Sequence, residues 1–322
     1  DGVPLPDATV RVLRTESAAT TDFLGAFTLT SLPVGVPLTV DVRLGGYASQ
    51  QLAVTILASG DVPAIEATLV RRGEAVRLPA AELGGRADGN EGAMVMLPVD
   101  GLVHADGTPA TGPVDVQITP VDVTDAMEVG GFPGPFAGVT PEGPAELIVS
   151  YGTAEYVFSQ GGEELDLAPG MSAVIEIPVY VGRNLDGTEV ALGDERPLWS
   201  FNEQSAQWVM EAMGTVVVAE ASPTGFALRG EVTHFSWWNI DVAPSPAFPN
   251  PIPVSPPDDP NDPDDTPEPC ENPEGWCASG GATGINADLC AAGMRGICTD
   301  MGFPPPPPPD PNSDPDGNPE PP

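Results

Sequence analysis

The chain reads as all-β: two tandem β-sandwich-type domains, then a proline-rich extended tail that holds a small disulfide-stapled module. Three observations predict this. Apolar residues alternate with polar ones at a period of two in short runs, as at Ala8, Val10 and Val12 or at Leu38, Val40 and Val42. Turn residues separate such runs at intervals of roughly ten, the spacing of sandwich strands. From Val242 onward the composition changes, because the last 81 residues carry 23 of the 41 prolines.

Taken in order, residues 1–80 open with a Gly-Pro turn and a strand through Ala8, Val10 and Val12. A turn at Asp22 to Gly25 leads to an expected strand at Ala26 to Thr30, and a third strand runs through Leu38, Val40 and Val42. Residues 81–91, with Gly84-Gly85 and Asp88-Gly89-Asn90, read as a linker. Residues 92–241 form a second β-rich domain. It has strands expected at Val114 to Thr119, Leu147 to Tyr151, Ala154 to Phe158 and Ala173 to Val181, and a Gly/Pro-rich stretch at 127–145 reads as a long loop. The stretch from Leu198 to Asp241 closes this domain. In it Trp199 and Phe201, a turn at Asn202 to Ala206, then Trp208 and Met210 spell a hairpin. Further strands are expected at Thr215 to Ala219, Gly225 to Arg229 and Glu231 to Asn239.

Residues 242–269 are an acidic proline-rich spacer, 270–303 a cysteine module and 304–322 a polyproline tail. Proline lacks an N–H and fixes φ, so the spacer suits polyproline II, at about 3.1 Å per residue, rather than a sheet interior or a helix.

The charge narrows the partners. All 11 basic residues are arginine, and 47 acidic residues leave a net charge of -36. Such a surface repels phosphate backbones and anionic lipid, which argues against nucleic acid and against direct membrane insertion, as does the lack of an apolar run of 18 residues. Lysine is absent, so lysine general-base and Schiff-base chemistry are excluded. The two histidines, His104 and His234, stand far apart, and neither a zinc-hydrolase His-Glu-x-x-His, a Gly-x-Ser-x-Gly elbow nor a phosphate-binding loop occurs. The expectation is a protein with no catalytic residues and no cofactor.

Cys270, Cys277, Cys290 and Cys298 are spaced too widely for a zinc module, so they read as two disulfides, with the connectivity open among three pairings. Disulfides place the chain in an oxidising compartment, extracellular or at a cell surface. Asp258, Asp259, Asp262, Asp264 and Asp265 are a weak calcium candidate; an EF-hand spacing is missing and the prolines limit convergence, so a solvated acidic spacer is the plainer reading. Trp199, Trp208, Trp237 and Trp238 admit two readings, a sandwich core or an exposed aromatic face for a carbohydrate or matrix ligand.

The runs GVPLPDATVRV, TDFLGAFTLTSLPVG and LTVDVRLGGY together resemble the carboxypeptidase regulatory-like (transthyretin-like) domain over about residues 1–75. The resemblance implies a small β-sandwich that serves as an appendage rather than a catalyst. Members of that family usually carry a further strand before the Asp-Gly-x-Pro turn, and here Asp1 stands at the turn. The resemblance therefore implies a place for a strand supplied from upstream or by another molecule. Residues 92–241, through VDGLVHADGTPATGPVDVQITPVD, LAPGMSAVIEIPV, PLWSFNEQSAQWV and EVTHFSWWNID, resemble a region of secreted bacterial proteins and of cartilage intermediate layer proteins. That likeness implies an extracellular role and carries no catalytic residue. The functional expectation is a secreted, non-catalytic structural protein that self-associates into a homopolymer, a filament or surface layer built by head-to-tail strand or tail contacts. The alternative is an accessory binding or adhesion module of a larger secreted enzyme or adhesin.

Overall fold

The structure, a computed structural model, describes residues 2–57, 64–141, 145–185 and 187–242. Two compact units divide the chain, Asp1–Val254 and Ser255–Pro322, and the account below concerns the first. The calcium candidates Asp258, Asp259, Asp262, Asp264 and Asp265 and the cysteines Cys270, Cys277, Cys290 and Cys298 lie outside the described residues. Among the described residues there is no α-helix, and β-strands are joined by turns and three short 3-10 turns.

A four-stranded antiparallel sheet forms first. Its strands are β1 (Thr9–Val12), β2 (Ala18–Thr20), β3 (Pro37–Arg43) and β4 (Gln50–Thr55), in the order β2-β1-β3-β4. The period of two sorts its faces. Val10, Val12, Leu38, Val40 and Val42 fill an apolar core on one side, while Arg11, Asp41 and Arg43 project from the other. Ala26 to Thr30 was an expected strand. Phe27 and Leu29 do turn toward the core, yet the segment joins no ladder.

A fourteen-stranded sheet follows. It comprises β5 (Val76–Leu78), β6 (Gly85–Asp88), β7 (Met94–Leu97), β8 (Leu102–Val103), β9 (Val114–Val121), β10 (Ala137–Val139) and β11 (Ala145–Leu147). It continues with β12 (Val149–Gln160), β13 (Glu163–Leu167), β14 (Ala173–Pro178), β15 (Glu195–Asn202), β16 (Gln207–Val218), β17 (Phe226–Val232) and β18 (Trp237–Val242). The main path runs β5-β9-β12-β18-β15-β16-β17-β14-β7-β6. Its two end strands, β5 and β6, approach each other, so the sheet curls over on itself into a near-barrel, a strongly curved form of the expected sandwich. The two end strands lie near each other without sharing a ladder.

The residues read as a linker, 81–91, contribute one of those end strands: β6 pairs with β7 from Gly85↔Leu97 to Asp88↔Met94. Composition misleads here because the glycines serve a tight approach. A Cβ on Gly84 would stand 2.5 Å from the Leu97 carbonyl oxygen. Gly152 has the same role inside β12, where a Cβ would lie 2.1 Å from the Pro178 carbonyl oxygen at the end of β14. The barrel interior holds Val95, Val116, Tyr156, Ile175, Leu228 and Trp238, all at most 2% exposed. The single buried hydroxyl of Tyr156 is satisfied by donating to the Glu176 carbonyl at 2.8 Å.

The tryptophan-rich stretch folds as a hairpin of β15 and β16 with Trp199↔Met210 and Phe201↔Trp208 in register. Two boundaries differ from expectation. The run Thr215 to Ala219 is the end of the long β16 rather than a separate strand, and Glu231 to Asn239 breaks into the end of β17, a corner at 233–236 and β18. His234 sits in that corner, freed from the ladder.

Candidate functional site

Six charged side chains of the first unit line a crevice of about 280 Å³ between the small sheet and the near-barrel. Its walls include Arg43 and Arg72 from one side and Glu155, Glu203, Glu164 and Asp166 from the other. The positions follow from strand alternation. On β3, Leu38, Val40 and Val42 face the apolar core, which leaves Asp41 and Arg43 on the opposite face. On β12, Glu155 stands beside Ala154 and Tyr156, which point into the barrel, so its carboxylate turns outward to the crevice.

Asp41 anchors the first arm. It is 1% exposed and accepts from Arg11 Nε at 2.7 Å, Arg43 Nε at 3.0 Å and Gln51 Nε2 at 2.9 Å. Burial works to raise its pKa, but the hydrogen bonds of Gln51 and the nearby Arg43 and Arg11 guanidiniums outweigh it and hold the carboxyl below its ordinary value. The other end of Arg43 donates through Nη2 to Glu203 at 2.5 Å, in the turn between β15 and β16. Burial pushes the Glu203 carboxyl up against the pull of Arg43, and the neighbouring Asp41 and Glu164 charges push the same way.

The second arm is a two-point pair. Arg72 donates through Nε to Glu155 at 2.9 Å and through Nη2 at 3.1 Å, and the Ser49 N–H adds a longer contact at 3.3 Å. Glu155 is 5% exposed, and burial raises its pKa despite the guanidinium. Two guanidiniums and four carboxylates thus share one crevice, and both guanidiniums are already committed to ion pairs.

Uncharged contacts run alongside. Gln50 donates to the carbonyls of Gly130 and Phe132 at 2.6 and 3.2 Å, and Gly134 N–H donates to the Gln51 carbonyl at 2.7 Å. Beneath them lies an aromatic cluster of Phe132, Trp199, Phe201, Trp208 and Trp237, into which Ala48 of the small-sheet region inserts. Phe132 and Phe136 stack at 4.2 Å, and Trp208 Nε1 donates to the Pro133 carbonyl at 3.0 Å. The Gly/Pro-rich stretch read as a loop therefore wraps the tryptophans. Gly138 permits that, because a Cβ there would lie 2.5 Å from Trp199 Cζ3.

Trp199, Trp208, Trp237 and Trp238 are all at most 1% exposed. They do not form an open aromatic face. Trp237 and Trp238, adjacent on β18, point to opposite sides, the first into the aromatic cluster and the second into the barrel core. Alternating strand geometry buries both because both faces of β18 are covered. His104 stands 3.5 Å from Glu163, and His234 3.1 Å from Glu211, which also accepts from Ser200. Ser236, at the crevice, donates to the Phe201 carbonyl at 2.7 Å rather than to a base. Among the described residues no three of His, Cys, Asp and Glu converge to hold a metal ion.

The arms were not legible in the sequence, since Arg72 and Glu155 stand 83 positions apart and Arg43 and Glu203 160. The weak signal was an acid inside an apolar strand, Glu155 between Ala154 and Tyr156.

Residues 1–70 match the family model of the carboxypeptidase regulatory-like domain. No curated protein and no solved structure matches the chain.

Proposed function

We propose that this chain is a secreted, non-catalytic structural subunit that self-associates into an extracellular filament or surface layer. The observation that carries the reading is the seam between the small sheet and the near-barrel. Two ion-pair arms, the Gln50 and Gly134 hydrogen bonds and the Ala48 plug join them without a free tether. A joint of this kind suits a module that must transmit position from one contact to the next, whereas a tethered appendage needs none. The guanidiniums of Arg43 and Arg72 are committed to ion pairs across the seam, which supports a structural use of the crevice. The disulfide reading of Cys270, Cys277, Cys290 and Cys298 supports an extracellular setting. In this reading copies join head to tail through an added strand or through the proline-rich segments, giving an open, heterologous assembly.

Sedimentation velocity of the full chain beside a chain ending at Val242 tests the assembly. Concentration-dependent growth of the full chain, reduced by the truncation, is expected. Two monodisperse monomers would remove the reading in favour of an accessory module, whose ligand would then have to meet a surface other than the four buried tryptophans.

A further inference from the structure

The run AMVMLPVDGLVHADGTPA at 93–110 returns, 80 positions on, as AVIEIPVYVGRNLDGTEV at 173–190. The leading Ala, the Pro-Val pair and the Asp-Gly-Thr turn stand at the same places in both. The structure repeats with the sequence. β7 leads into one hairpin and β14 into the other. In the first, His104 N–H donates to the Thr108 carbonyl at 2.9 Å and Ala110 N–H to the Leu102 carbonyl at 2.9 Å. In the second, Asn184 N–H donates to the Thr188 carbonyl at 2.8 Å and Val190 N–H to the Gly182 carbonyl at 3.0 Å. The isolated bridges Val103↔Pro109 and Arg183↔Glu189 correspond, as do φ values of 82° at Gly107 and 83° at Gly187. β9 follows the first hairpin and β15 the second.

The two copies meet across a local two-fold axis. β7 and β14 pair antiparallel, and Val95 lies opposite Ile175, its own equivalent 80 positions on. Equivalent strands that pair antiparallel on equivalent residues are two-fold symmetric about that point. The strand order obeys the same axis. β9 and β12 answer β15 and β18, and β12 pairs antiparallel with β18.

The near-barrel is therefore built from two equivalent halves, 76–167 and 173–242. Within the second, β14-β17-β16-β15-β18 is an unbroken sheet. Its outer strands β14 and β18 take β7 and β12 of the first half as their other neighbours, and β10 adds a short parallel contact to β16. The halves are joined through the turn at 168–172, where Pro169 and Gly170 are exposed and Met171 N–H donates to the Ala168 carbonyl at 2.9 Å.

We infer that the join between these halves is also an interface between copies of this chain: the second half swings out at 168–172 and seats on the first half of a second copy. Exchange keeps the β7/β14 and β12/β18 ladders and changes only the course of the turn. An ordinary surface contact has no such reserve to set against the repulsion of copies that each carry a net charge of -36. Reciprocal exchange closes a dimer. Serial exchange, each copy seating on the next, gives an open head-to-tail assembly. The inference rests on the self-association in the structural-subunit reading. It makes β14 and β18 the added strands, and it is the share of association that survives truncation at Val242.

The test uses Met96 and Val174, Cα partners on the outer face of the β7/β14 ladder. Opposite positions on antiparallel strands lie within reach of a disulfide. Full-length chains carrying Met96→Cys are mixed in urea with chains carrying Val174→Cys, refolded together at high concentration, oxidised and separated by size. Mass spectrometry reads linked peptides that hold positions 96 and 174, which separates them from links through the native cysteines. The double variant, refolded dilute, reports the same link within one chain. The expected result is the link in the monomeric double variant, and in the assembled fraction of the mixture but not in its monomers. Assembly of the mixture without the link would overturn the inference and leave the structural-subunit reading. The link in closed dimers that grow no further would keep the inference and remove that reading. Monomers alone at every concentration would overturn both, and a folded double variant without the link would overturn the register on which the inference stands.

Discussion

Replacing Arg72 with methionine should expose how the seam is held. The change keeps most of the aliphatic stem and removes both hydrogen bonds to Glu155, at 2.9 and 3.1 Å, leaving the carboxylate only the 3.3 Å contact to Ser49 N–H. Glu155 is 5% exposed, so an unpaired charge there costs about 3–5 kcal/mol, a large fraction of the about 5–15 kcal/mol that stabilises a typical domain. The group can escape by taking a proton, and burial already raises its pKa in the folded chain. A carboxyl raised on folding contributes most below its unfolded value and loses that contribution as pH rises through its folded value. The penalty of Arg72→Met should therefore be largest at pH 8 and shrink toward pH 5. Urea unfolding followed by tryptophan fluorescence at both pH values measures it, since Ala48 abuts the tryptophan cluster. Adding Glu155→Gln to Arg72→Met should recover at least half of the loss at pH 8. Equal penalties at both pH values, or a double variant no more stable than the single, would refute the reasoning.

Three further outcomes follow from the same geometry. Gly138→Ala should destabilise by about 1–3 kcal/mol and alter the tryptophan emission spectrum, because its Cβ would meet Trp199 Cζ3 at 2.5 Å; an unchanged urea midpoint would contradict the packing. Trp208→Phe should cost about 1–3 kcal/mol, since it strands the Pro133 carbonyl that Nε1 now satisfies at 3.0 Å; chemical denaturation reads it. His234 is held above its ordinary pKa by its hydrogen bond to Glu211, and Glu211 below its own by the same bond. The pair's stabilisation should thus fade as pH rises through the folded His234 value and again as pH falls through the folded Glu211 value. Both side chains are about one-third exposed, so its amplitude should stay under about 1 kcal/mol. NMR titration of the His234 ring should show a lower pKa in Glu211→Gln, and an unchanged one would count against the pair.

Much of the strand pattern was legible because alternation is local. Val10 and Val12, Leu38 to Val42, and the Trp199–Met210 hairpin all carry their partners' spacing in the sequence, and each lies where the period placed it. Pairing is not local. Phe27 and Leu29 alternate correctly yet meet no ladder, and the glycines at 84 and 85 looked like a linker although Gly84 packs tightly against the Leu97 carbonyl and Gly85 begins β6. The tryptophans gave a correct strand and an open choice of environment. Only the wrapping by Phe132 and Phe136 and the insertion of Ala48 decided it, and those residues are far away in sequence. The crevice was hidden for the same reason, since the two ion pairs that cross it, Arg43–Glu203 and Arg72–Glu155, each join an arginine of the first 72 residues to an acid beyond residue 150.

Electron microscopy of the protein as its native cells release it tests the central claim most directly. Ordered fibres or a lattice with a repeat close to one subunit length are the predicted result. Dispersed single particles at the same concentration would contradict the structural-subunit account.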